Sequence, residues 1–132
     1  ILSPPHKIMK ILVFGNKYLK EDNLAIKVAK EIKLKNTNFI FCEFPEQVLN
    51  LNEKDFVILD VVKDLKEVKL FNLEDLQEFN ITSLHDFDIG FFLKLMQNSG
   101  KIKNVKIIGI PMKGNKELIK RDLIKVLKPL NL

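Results

Sequence analysis

Cysteine occurs once in the 132 residues, at Cys42, so no disulfide can close within the chain and no cysteine-based zinc site can form. A lone thiol of this kind fits a reducing cytosol, which is the expected location. Tryptophan is absent, and glycine and proline number five each, too few for a collagenous or low-complexity chain. The longest apolar runs have the length of strands. They are too short for a membrane span, and none has the form of a secretory leader. Arginine appears only at Arg121, and histidine only at His6 and His85. Several motifs are missing as well: the G-x-G-x-x-G fingerprint, the G-x-x-x-x-G-K-[ST] phosphate loop, the H-E-x-x-H zinc helix and the G-x-S-x-G nucleophile elbow.

The composition is 46% hydrophobic and 30% charged, which is that of a globular chain with enough apolar surface for one core. The net charge of +5 raises the question of nucleic acid. However, the lysines are spread over every helical segment and interleaved with Glu and Asp, as on solvated helix faces. No strand interleaves aromatic and basic residues as a base-stacking platform does. Neither a nucleic-acid nor a membrane partner is expected, and the chain reads as a monomer.

Ile1–Ile8 (ILSPPHKI) reads as an N-terminal arm or remnant outside the fold, with His6 exposed on it, and residues 9–132 read as one domain. KILVF at Lys10–Phe14 is continuously apolar, as a strand covered on both faces must be. Gly15-Asn16 ends it. From Asp22, the residues Leu24, Ile26, Val28, Ala29 and Ile32 recur at helical spacing, with lysines and Glu31 between them. Asn38–Phe44 reads as a second strand, followed by a short helical piece at Glu46–Leu51. DFVILDVV at Asp55–Val62 reads as a third strand, and Glu67–Phe71 as an edge strand. Asn72–Phe79 reads as one or two helical turns capped by Asn72. Phe87–Gln97 reads as a helix stopped at Gly100, and Asn104–Ile110 as a strand stopped at Pro111. Asn115–Leu127 reads as a final helix ended by Pro129. Apolar strands alternating with amphipathic helices imply an α/β fold in three layers, a twisted and mostly parallel sheet with helices on both faces. In such sheets the functional crevice lies beyond the carboxyl ends of the strands.

Three places hold candidate chemistry. Asp60 interrupts an apolar strand, where an uncompensated carboxylate costs several kcal/mol; it either emerges at the strand end or has a partner. Glu21-Asp22 precedes a helix, where Asp serves equally well as an N-cap. His85 lies in ITSLHDFDIGFFL, where Ser83 or Asp86 could cap the following helix and Asp88 reads as a surface residue. Two carboxylates and an imidazole suit one divalent metal with positions left open. Gly15 and Asn16 would support the set as turn residues, although a permissive turn suffices for Gly15. Cys42 reads as packing within its strand.

These segments, in this order, resemble the hydrogenase maturation endopeptidases. ILVFGNKYLKEDNLAIKVA is similar to that family's opening strand, Gly-Asn turn and acid pair. VILDVV is similar to its strand-end Asp, ITSLHDFDIGFFLKL to its helix-opening His, and KIIGIP to its late strand. The resemblance runs from Met9 to about Leu127. Of the family's G-x-G-N turn only Gly15 remains, and the acid pair is Glu-Asp. The resemblance implies a protease that removes the C-terminal extension of a nickel-iron hydrogenase large-subunit precursor. It also implies that Asp22, Asp60 and His85 contact nickel already inserted in that precursor, so that nickel arrives with the substrate and no permanent metal is held. The precursor is then the expected partner. Two other readings fit the same residues: a non-enzymatic hydrogenase-assembly binding protein and a Rossmann-like nucleotide-binding module.

Overall fold

The computed structural model describes residues 8–15, 23–62, 64–73 and 89–130. The elements run β1 (Met9–Phe14), α1 (Leu24–Glu31), β2 (Thr37–Cys42), a 3₁₀ turn (Pro45–Asn50), β3 (Asp55–Val62), β4 (Lys69–Asn72), α2 (Ile89–Asn98), β5 (Asn104–Pro111) and α3 (Lys116–Leu130). They form one five-stranded sheet in the order β2-β1-β3-β5-β4. Strands β1, β2, β3 and β5 are parallel, and β4 joins antiparallel at the β5 edge.

The unbroken apolar runs of β1, β3 and β5 follow from burial on both sides of the sheet. Along β3, Phe56, Ile58 and Val62 point to one face and pack with Leu12, Phe14, Val105 and Ile107, under Leu93 and Met96 of α2. Val57, Leu59 and Val61 point to the other face and pack with Ile11, Val13, Ile108 and Ile110. That face is covered by Ala25, Val28 and Ala29 of α1 and by Ile119, Leu123 and Leu127 of α3. The helices α1 and α3 therefore share one face, and α2 covers the other. Each fully buried Leu or Ile contributes about 1.5–3 kcal/mol of transfer free energy against the entropy of ordering it. Glu31 ties α1 to α3, accepting from Lys116 at 2.7 Å and lying 3.7 Å from Lys120. The Lys116 hydrogen bond holds its carboxyl below the usual range, but so exposed a pair is strongly screened by water.

Several boundaries differ from the sequence reading, each for a local reason. The N-cap of α1 is Asn23 rather than Asp22, and its side chain makes no capping hydrogen bond. β2 ends at Cys42, two residues before Phe44, because Gln47 takes over the next backbone donors: its Oε1 accepts from the N–H of Glu43 at 2.6 Å and of Phe44 at 2.8 Å. Asn72 is the last residue of β4, and Leu73 directly after it is in a 3₁₀ turn. Leu73 is buried beside that strand, and residues 74–79 lie outside the described ones. Pro129 does not end α3, which runs on to Leu130. A proline is tolerated so near the C-terminus because few backbone bonds remain to be lost. Asn115, read as the first residue of this helix, instead caps it, its Oδ1 accepting from Leu118 N–H at 3.1 Å. Gly100 stops α2 with φ of 79°, and the N–H of Lys101 donates back to Met96 O at 3.0 Å.

Candidate functional site

Asp60 is the sixth residue of β3 and is 0% exposed, the one buried charged side chain among the described residues. Strand alternation turns it with Ile58 and Val62 toward the face that α2 covers. Its Oδ1 accepts from the N–H of Val61 at 2.8 Å. Of the two arrangements open to it from the sequence, emergence at the strand end or burial with partners, the structure shows burial.

The neighbours of Asp60 form a row across the sheet. Asp60 pairs with Gly109 on β5, and Gly109 pairs with Lys69 on β4. On the other side, the Val13–Leu59 pairing sets Phe14 beside Asp60, and Phe14 pairs with Cys42. Cys42, Phe14, Asp60, Gly109 and Lys69 thus stand one per strand near the carboxyl ends of the parallel strands. Both Phe14 and Cys42 belong to the core on the α2 side. Burial pushes the Cys42 thiol up to about 11, which fits packing and leaves little thiolate for chemistry at neutral pH. The chain then turns sharply after β3. Asp64 adopts φ of 70°, and Leu65 N–H donates to Val62 O at 3.4 Å, bringing Leu65 back against Gly109.

Gly15 follows β1 directly and is buried. Asn16, Asp22, Ser83, His85, Asp86 and Asp88 lie outside the described residues, so the structure describes only Asp60 of the three-residue set. Chain continuity still constrains the others. Asp22 is followed by the N-cap of α1, and His85 precedes the first residue of α2 by four positions. Among the described residues no three of His, Cys, Asp and Glu gather closely enough to hold a metal ion. None of the described helices is long and apolar enough to cross a membrane.

Gly109 carries information that the sequence reading did not draw from it. A side chain there would collide with Val62, Leu65 and Phe71, three residues packed around the strand position next to Asp60. The only sequence signal was a glycine inside an apolar strand, which often marks a close approach.

No family model matches the sequence, and no curated protein matches it. Solved structures do. The chain is similar to the crystal structure of the hydrogenase 3 maturation protease, with a TM-score of 0.66 at 18% identity over 94% of this chain and 90% of that one. It is similar to the solution structure of the endopeptidase HycI from Escherichia coli, with a TM-score of 0.61 at 17% identity over 94% and 90%. It is also similar to the hydrogenase 2 maturation peptidase from Thaumarchaeota archaeon SCGC_AB-539-E09, with a TM-score of 0.54 at 14% identity over 92% and 97%. The chain has the fold of hydrogenase maturation proteases, over nearly its whole length and nearly the whole of theirs.

Proposed function

We propose that this protein is a cytosolic endopeptidase that removes the C-terminal extension of a hydrogenase large-subunit precursor once nickel has been inserted. In this reading Asp22, Asp60 and His85 contact the nickel that the precursor brings, and Gly15-Asn16 shapes the turn beside them. The observation that carries it is Asp60: a buried carboxylate near the carboxyl end of a central parallel strand, where α/β sheets place their functional crevice. A buried carboxylate costs folding free energy and is worth keeping for its chemistry. The likeness to solved maturation proteases supports the same reading.

Hydrolysis adds water across the scissile amide, the hydroxyl going to the carbonyl carbon and a proton to the departing amine. Metal on the substrate polarises that chemistry, and the protein's part is to hold and orient it with two carboxylates and an imidazole. Because Asp60 is covered in the free protein, precursor docking must uncover its carboxylate. Cleavage would thereby be linked to correct docking.

The test incubates the protein with nickel-loaded and nickel-free precursor from its own host and weighs the products by mass spectrometry. Loss of a C-terminal peptide from the loaded precursor alone is expected. Asp22→Ala, Asp60→Asn and His85→Ala should each slow it roughly a hundredfold or more while leaving the fold intact. Intact precursor throughout, while an active maturation protease cuts the same sample, would sink the reading and leave a binding protein on a protease fold.

A further inference from the structure

The two edges of the sheet are built differently. β4 is four residues long and carries Lys69, as guarded edges do. β2 is six residues long, TNFIFC, with no charge, no proline and no glycine. The direction of its backbone groups follows from one bond. Met9 N–H donates to Asn36 O at 2.7 Å, and Met9 stands opposite Thr37. In a parallel pair this turns the even-numbered residues of β2 toward β1. The N–H and C=O of Phe39 and Phe41 therefore point to the outer edge, where no described residue meets them.

The side chains continue the pattern. Phe39 and Ile40 are half-buried on opposite faces, and Phe41 is 43% exposed. Beyond the strand end Phe44 is 60% exposed, yet its backbone is pinned to Gln47 by both its N–H and its C=O. Around this apolar track stands a basic rim: the Lys30 ammonium lies 5.9 Å from the centre of the Phe41 ring, and Lys33 and Lys35 are exposed in the approach to the strand. Of the acids in this stretch, Glu31 is engaged with Lys116 and Lys120 of α3, and Glu43 and Glu46 follow at the exit.

We propose that the outer edge of β2 binds an extended segment of the precursor as a sixth strand, apolar at alternate positions and flanked by acidic residues that meet the lysine rim. This rests on the protease reading for the identity of the partner. Strand addition supplies main-chain hydrogen bonds for affinity and alternate side chains for selectivity. With strands about 4.8 Å apart, an added strand lies about 14 Å from Asp60 across the sheet, and the exposed Phe44 extends the track toward the carboxyl edge that Asp60 shares. A second copy of the chain fits less well, because each copy carries +5 and would set one lysine rim against another.

The test follows amide exchange by NMR on the whole isotope-labelled chain, with and without a synthetic peptide spanning the cut and the C-terminal extension of the precursor. The amides of Phe39 and Phe41 should slow about tenfold or more, while those of Ile40 and Cys42, already bonded to β1, do not change. In cleavage assays Phe41→Pro removes one outward donor and no bond to β1, and Phe41→Asp sets a charge on the edge. Each should raise KM about tenfold with kcat within about twofold, and Leu70→Asp on β4 should do neither. Three results would overturn the proposal: unchanged Phe39 and Phe41 amides at saturating peptide, an unchanged KM in edge variants that melt like the parent, or protection without peptide that grows with protein concentration, which indicates self-pairing. If the parent cuts no precursor but the two amides still slow, the protease reading falls and the edge site stands.

Discussion

A Cβ on Gly109 would stand 2.6 Å from Val62 Cγ2 and 2.9 Å from both Leu65 Cδ1 and Phe71 Cε2. Three side chains would have to move, and Val62 lies two residues beyond Asp60 on the same strand face. Gly109→Ala should therefore destabilise the fold by about 1–3 kcal/mol in urea titration, the ordinary cost of overpacking. Cys42, in the same cross-sheet row, shows burial acting on a titration. Its thiol is raised from 9.0 to about 11, so the unfolded chain loses that proton first. The contribution is whole below pH 9.0 and is lost as pH rises toward about 11. Stability measured across that window should fall more steeply in the parent than in Cys42→Ala. At this scale Asp60 was legible because one charge inside the apolar run FVILDVV is conspicuous. The need for glycine at 109 was not, since the three side chains that crowd it come from β3, the turn after it and β4.

Among the elements, β3 matches its sequence reading from Asp55 to Val62, since eight apolar or bounding residues leave little room for another period. The end of α2 was equally readable. Gly100 takes φ of 79°, with nothing within 4 Å of a Cβ placed there. Gly100→Ala should cost about 1 kcal/mol from the left-handed backbone alone, seen as a lower urea midpoint with an unchanged slope. Ends set by side-chain competition were harder to read. Gln47 closes β2 two residues early by accepting from Glu43 and Phe44. Asn72 closes β4 as well as preceding the 3₁₀ turn at Leu73: it pairs with Lys106, whose ammonium also donates to its Oδ1 at 2.8 Å.

For the whole molecule, the two apolar faces of one sheet determine which helix can touch which residue. α1 and α3 close one side, and α2 closes the side to which Asp60 turns. The segment carrying His85 leads into α2, whereas Asp22 leads into α1, so a site joining them must gather around the carboxyl edge of the sheet. The nickel-dependent cleavage assay tests that gathering, and the exchange experiment tests the free edge two strands away. The two experiments probe separate parts of the molecule.

The sequence by itself determined the class of the fold, the order of the strands and helices among the described residues, and the oddity of Asp60, because hydrophobic period and a single misplaced charge are local properties. The tertiary structure alone decided the strand order β2-β1-β3-β5-β4, the antiparallel entry of β4 and the complete burial of Asp60. It also decided the demand for glycine at 109 and which backbone groups of β2 face outward. Each of these depends on pairing between segments far apart in the chain, and pairing register is a property of two segments together rather than of either one.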